Sequence, residues 1–149
     1  MKNRINEVKV SYHQKTKAAF WHKINSSQDA ANILHEQWDK SSIEMHESFK
    51  IILLNNGNKV KGIYELSKGG ITAAIVDIRM LFAVVLKSLS VAIILCHNHP
   101  SGTLKPSVAD KTLTKKIKSA AELLDIAVLD HIIITPNDGY YSFADEGIL

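Results

Sequence analysis

Two histidines one residue apart, His97 and His99, are followed a short way downstream by Asp110. A continuously apolar run, Val91 to Cys96, leads into them and reads as a central strand covered on both faces. The run ends at Cys96, so His97 is expected to emerge at the strand's carboxyl end, where α/β proteins commonly place their sites. On extended chain, positions i and i+2 point to the same side. The two imidazoles can therefore converge on one ion. Pro100 and Gly102 then break regular structure, and Ser107-Val108-Ala109-Asp110 opens a helix, which puts Asp110 in a first turn able to swing toward the strand end. Two imidazoles and a carboxylate leave a fourth position open, the donor set of a catalytic zinc site rather than a closed structural one.

Each part has a plainer explanation on its own. A histidine at a strand end is commonly a satisfied polar residue. Asp110, three residues after Ser107, completes a helix capping box, and Ser107 alone is an N-cap worth about 1 kcal/mol. The combination is what packing does not explain. Zinc lowers the pKa of a bound water to about 7, a neighbouring carboxylate can take the proton and return it to a leaving amine, and a hydroxyl donor helps to hold the negative oxygen of a tetrahedral intermediate. Amide hydrolysis needs those parts. His131, beside Asp130 in an apolar strand, either holds a ligand or the sheet edge in place or, equally well, is a core histidine paired with its neighbour. Cys96 points to the opposite strand face and packs, and Asn98 likewise faces away from the two histidines. Ser101 and Gly102 shape the turn.

The elements that position these residues follow from periodicity. Ile5, Val8, Val10 and Tyr12 suggest a first, edge strand. Ser27 is read as the cap of a helix in which Ala30, Ile33, Leu34 and Trp38 recur at helical spacing, and Ser41–Ser42 reads as loose chain. Phe49–Leu54 has strand length and composition, Asn55-Asn56-Gly57-Asn58 is a turn, and Lys59–Leu66 alternates as a returning strand does. Ile75–Leu89 carries a broad apolar face suited to a buried helix. After Pro106, Leu113, Ile117, Ala121 and Leu124 share a helix face. Ile126–Thr135 reads as a strand, Asn137-Asp138-Gly139 as a turn, and Tyr140–Phe143 as a last short strand. The fold class is α/β: a mixed, largely antiparallel sheet flanked by helices, since the two hairpins imply antiparallel pairs.

With 149 residues, 46% of them hydrophobic and 22% charged, the chain fits one ordinary globular domain. No stretch approaches the roughly 20 apolar residues of a membrane span, so no membrane partner is expected. The charged start, Met1–Val10, has no signal-peptide core, and a single cysteine cannot form an internal disulfide; a cytoplasmic location fits both. A net charge of +3 is too small by itself to argue for nucleic acid.

The string His97-Asn98-His99-Pro100-Ser101-Gly102, with seven residues between His99 and Ser107 and two more before Asp110, resembles the JAMM (JAB/MPN) metallopeptidase motif. Pro106-Ser107, Leu129-Asp130-His131 and the closing Tyr141-Ser142-Phe143-Ala144-Asp145-Glu146-Gly147 resemble its RadC-like branch in particular. The similarity runs from about Ser26 to the C-terminus, which sets a domain at 26–149 and leaves 1–25 as an N-terminal extension or edge strand. The resemblance implies a three-layer fold of the cytidine-deaminase-like kind, with zinc held by His97, His99 and Asp110. An upstream glutamate before an apolar strand would be the general base, and Glu47 matches that position; Glu65, nearer the motif, is its competitor. Ser107 would donate to the developing oxyanion. The implied reaction is hydrolysis of a peptide or isopeptide bond in a protein or peptide substrate.

Other functions fit these residues less well. A zinc deaminase needs a Pro-Cys-x-x-Cys pair, which one cysteine cannot supply. An HNH nuclease disperses its named residues over a hairpin and helix, so the contiguous tripeptide does not match. The remaining alternative is a DNA-repair-associated or scaffold protein with the same fold and no peptidase activity. Longer RadC-like proteins carry a helix-hairpin-helix region, and only Met1–Asn25 precedes the similarity here, which weakens a DNA role. Lys111, Lys115, Lys116 and Lys118 form a basic face that could meet phosphate, although such faces are commonly just solvated. Exposed edge strands would make a homodimer unsurprising.

Overall fold

Ser26, not Ser27, starts the first helix in the computed structural model, which describes residues 4–9, 11–70 and 75–149. Ser26 is extended at φ −152°, ψ 165°, and its hydroxyl accepts the Asp29 N–H at 3.2 Å, while the Asn25 N–H reaches the Asp29 carboxylate at 2.8 Å. Helix α1 therefore runs Ser27–Gln37, and the hydroxyl of Ser27 is left to bond Asp145 near the other end of the chain. Strand β1 (Ser48–Leu54) and β2 (Val60–Lys68) form the first hairpin, with the Asn55 carboxamide accepting the Gly57 and Lys59 N–H groups in the turn. Helix α2 (Ile78–Lys87), β3 (Ala92–Asn98), α3 (Val108–Leu123), β4 (Ala127–Ile134) and β5 (Tyr140–Ser142) follow.

The sheet order is β2-β1-β3-β4-β5. The β3–β4 pair is parallel, joined across α3 as parallel neighbours require, and the other three pairs are antiparallel. Strand alternation divides the core in two. Ile52, Leu54, Ile94, Cys96, Ile132 and Ile134 face α1, where Ala30, Ala31 and Leu34 are fully buried. Phe49, Ile51, Leu53, Ile93, Leu95 and Val128 face α2 and α3, against Leu81, Phe82, Val85, Ile117 and Ala121. This is a mixed, mostly antiparallel five-stranded sheet between helices, the fold class that the hairpins and apolar runs implied. No helix among the described residues is long and apolar enough to cross a membrane.

Beyond the cap at Ser26, four further features differ from those expected, each for a local reason. β3 continues two residues past the apolar run, because Asn98 and His97 are paired with β4 and buried in place of hydrocarbon; His97 sits within the strand rather than beyond it. The second helix is shorter than its apolar pattern. Asp77 caps it by accepting the Arg79 N–H, leaving Ile75 outside and 89% exposed, and Leu89 turns the chain at φ 54°, a left-handed position usually marked by glycine. No strand forms among residues 4–9 and 11–17, where Ile5 and Val8 are exposed; Val10 lies outside the described residues. Ser41–Ser42 is not loose, since Asp39 gathers the Ser41 N–H and hydroxyl and Ser42 is buried.

Candidate metal centre

His97, His99 and Asp110 meet where the carboxyl end of β3 approaches the start of α3. His97, 1% exposed, is the cross-strand partner of Phe49 on β1, and the two rings stack at a centroid distance of 6.0 Å. His99 follows the strand, its N–H donating to the Ile134 carbonyl at 2.9 Å. The chain then reverses in a turn closed by the Gly102 N–H on the His99 carbonyl at 3.0 Å, with Gly102 at φ +85°, a conformation strained for any side chain. His99 Nδ1 lies 2.6 Å from the Thr103 carbonyl. A carbonyl only accepts, so Nδ1 carries the proton and the neutral ring presents Nε2 open.

Asp110 enters through the capping box that its spacing from Ser107 implied. The Ser107 hydroxyl accepts the Asp110 N–H at 3.0 Å, and Asp110 Oδ2 accepts the Ser107 N–H at 2.8 Å. A carboxylate in the first turn is favoured by the helix dipole. The same Oδ2 lies 3.4 Å from His97 Nε2 and 3.5 Å from His99 Nε2, and the two nitrogens are 3.0 Å apart. Three donors bound tetrahedrally at about 2.0–2.1 Å would be separated by about 3.3 Å. The observed triangle has that size, so the two imidazole nitrogens and the carboxylate could hold a cation among them. A first-row divalent ion suits nitrogen and oxygen donors of this kind.

Glu47 is the fourth member of the group: its carboxylate and the three donor atoms all lie within 4.8 Å of one another. It stands just before β1, with its backbone bonded to both Gly69 and Gly70 beyond β2. Asn98 holds this segment from the opposite face of β3. Its fully buried carboxamide accepts the Ser48 N–H at 2.7 Å and donates to the carbonyls of Ile43 at 2.8 Å and His46 at 3.0 Å. Glu65, the competitor, is exposed on β2 opposite Lys50 and stands outside the group. Ser107 is exposed at the rim; its oxygen is engaged by the Asp110 N–H, and its own proton is unassigned.

The electrostatics follow from burial and crowding. Desolvation raises the Glu47 carboxyl above its ordinary value, against the opposing pull of His97 and His99 and with the help of Asp110's charge. Burial would raise Asp110 too, but the imidazoles of His97 and His99 that face it, with the Ser107 N–H, outweigh that and hold the carboxyl far below the usual range. Burial opposes charge on His99, yet Asp110 and the Thr103 carbonyl outweigh it and lift the imidazole above its ordinary value. Burial drives His131 well below the imidazole range and keeps it neutral. The His131 ring is not paired with the side chain of its neighbour; only its backbone N–H is. Asp130 accepts the His131 and Ala144 N–H groups and the Ser142 hydroxyl, whereas the His131 ring reaches His97 and Thr114. Sequence reasoning did not single out Phe49 or Thr114 for the site. Thr114's only signal was its place one turn after Asp110.

Comparison with known proteins agrees with the motif. The family model for the RadC-like JAB domain matches residues 24–148. A UPF0758 protein of Flavobacterium johnsoniae is 52% identical over 126 residues, 85% of this chain and 53% of the relative. UPF0758 proteins of Porphyromonas gingivalis and Pseudomonas fluorescens are 43% and 46% identical over 69% and 71% of this chain, covering 45% and 47% of their own lengths. The chain thus spans about half the length of the curated relatives it matches. With residues 24–148 of its 149 matched and a cluster of Glu47, His97, His99 and Asp110 where the motif lies, this chain belongs to the RadC-like JAB domain family.

Proposed function

We propose that this domain is a zinc-dependent hydrolase that cleaves a peptide or isopeptide bond. The observation that carries the reading is the convergence of His97 Nε2, His99 Nε2 and Asp110 Oδ2 at 3.0–3.5 Å, with a half-buried carboxylate beside them. His97, His99 and Asp110 would hold the ion, and three protein donors leave a coordination position for water or substrate. A zinc ion there supplies Lewis acidity and an acidified water at neutral pH.

The chain's own residues supply the remainder. Glu47, whose carboxylate lies within 4.8 Å of the three donors, would take a proton from the attacking water and return it to the leaving nitrogen. The Ser107 hydroxyl, whose oxygen is oriented by the Asp110 N–H, is free to donate toward a developing oxyanion. Phe49 stacks on His97 and fixes the plane of its ring. A cytoplasmic location is part of the same proposal, and the single cysteine in the sequence fits it.

The test is metal content by plasma mass spectrometry on the purified protein beside His97→Ala and Asp110→Ala. About one zinc per chain, absent from both variants, is the result expected from a three-donor site. A screen of peptide and isopeptide substrates against Glu47→Gln then reads the reaction. Wild-type protein that takes up no zinc after reconstitution near neutral pH overturns the proposal.

A further inference from the structure

Behind His97, on the side away from the converging donors, a line of buried polar atoms leads back to Asp110. His97 Nδ1 lies 2.7 Å from His131 Nε2, and His131 Nδ1 lies 2.6 Å from Thr114 Oγ1. The Thr114 hydroxyl in turn donates to the backbone carbonyl of Asp110 at 2.7 Å, one helical turn earlier in α3. His97, His131 and Thr114 are 1%, 0% and 2% exposed, so solvent does not stand in for any of these partners. The His131 ring is also stacked on Phe143 at 4.5 Å, and edge-on to Phe49 at 5.6 Å, which leaves it little freedom to turn.

The directions of these bonds suit one arrangement of protons. A ligand that binds a cation through Nε2 must carry its proton on Nδ1. The Nδ1–H of His97 then needs an acceptor, and the facing atom is His131 Nε2. A neutral imidazole has one N–H, so His131 carries its own on Nδ1 and gives it to Thr114 Oγ1. Thr114 is left with its hydroxyl proton, which the Asp110 carbonyl accepts. Every buried donor along the line finds an acceptor, and the line ends on a group that can only accept. It also ends on the residue that supplies the carboxylate donor, so strand ligand and helix ligand are tied behind the site as well as within it.

We propose that His131 and Thr114 are positioning residues: a buried hydrogen-bond relay that fixes His97 with its proton on Nδ1, opens its Nε2 to the cation, and anchors it to the helix that carries Asp110. The inference rests on the metal-site reading above and adds to it two residues that touch neither the ion nor the substrate. Removing the hydroxyl of Thr114 leaves the Nδ1–H of His131 buried without a partner, and the strain passes to His97.

The experiment is a zinc titration in competition with a chromophoric chelator, for wild type, Thr114→Val, Thr114→Ser and His131→Phe. Thr114→Val and His131→Phe are expected to weaken zinc binding about 10–100-fold, the usual effect of losing a partner behind a ligand, and Thr114→Ser to stay within about threefold of wild type. Long-range nitrogen–proton correlation spectra of the zinc-loaded wild type are expected to show both His97 and His131 protonated at Nδ1. If Thr114→Val binds zinc as wild type does while only its metal-free melting temperature falls, the threonine is merely structural and the relay is overturned. A loaded His131 protonated at Nε2 overturns it equally. Failure of the metal reading is separate and visible: the wild type itself then takes up no zinc, and the relay falls with it.

Discussion

His97, His99 and Asp110 lie within fourteen residues of chain, whereas Glu47 arrives at the same place from fifty residues upstream of His97. The two sides of the site are built by different means. On the ligand side, the two-residue period of an extended chain, a glycine turn and a capping box bring the three donors together from positions close in sequence, and the distant Phe49 and His131 brace only the ring of His97. On the base side, nothing local fixes Glu47. Its segment is held by Asn98, a side chain on the opposite face of β3 whose three hydrogen bonds span 50–55 residues. One tripeptide therefore serves both sides, His97 and His99 toward the donors and Asn98 toward the loop that carries the carboxylate. On the reading proposed above, metal binding and proton transfer should be separable, and variants on one side should spare the other.

The largest separation should come from Glu47→Gln. Hydrolysis is expected to fall by about 10²–10⁴-fold, the ordinary contribution of a general base, while metal content stays at that of wild type; activity assay and metal analysis on one preparation read both. A variant that loses its zinc would place Glu47 among the ligands and erase the distinction. Asn98→Ala comes next. It leaves the Ser48 N–H and the Ile43 and His46 carbonyls without their partner, at a cost of about 3 kcal/mol, or a melting temperature lower by roughly 6–12 °C. Hydrolysis should fall with it and zinc stoichiometry should not. Ser107→Ala removes an N-cap on the ligand side, at about 1 kcal/mol and roughly 2–4 °C by calorimetry, and Ser107→Thr should recover most of that.

The smallest effect is one of pH. Burial raises the Glu47 carboxyl in the metal-free fold, so the folded state binds its proton more tightly than the unfolded chain does. Its contribution to stability is present below the ordinary carboxylate range and is lost as pH rises through the raised value. Metal-free Glu47→Gln should therefore melt slightly above metal-free wild type at neutral pH, and the gap should close below about pH 4. Thermal melts across that range check it; a gap independent of pH would mean that the carboxylate's charge is not what sets it.

How much could be read from the residues alone divides along the same line. The convergence of His97, His99 and Asp110 and the capping box were legible because their causes are local: spacing, punctuation by Pro100 and Gly102, and the Ser107–Asp110 pair. The sheet between helices followed from two hairpins and two apolar runs. Glu47 was reached by resemblance, since a glutamate before a strand has no local mark that sets it apart from a solvated charge. The β3 boundary was missed because buried His97 and Asn98 do not look like strand interior until their partners are known. Thr114 was missed for the same reason: its contact with His131 crosses 17 residues and joins a helix to a strand. The N-terminal apolar residues misled in the other direction, because alternation predicts a strand only where a neighbour exists to pair with it.

One feature of the sheet bears on how the site would breathe. β3 is central, hydrogen-bonded to neighbours on both sides, and buried at all seven positions, so its amides should exchange with solvent only when the whole domain opens. The first turn of α3 lies at the surface, with Val108 81% exposed, and helix ends fray at far lower cost. A centre drawing ligands from both would join the slowest-exchanging segment of the chain to one of the fastest. Its affinity for metal then depends on how much of the time that turn is closed, and deuterium uptake at Lys111 and Thr112 would report occupancy of the centre without any substrate at hand.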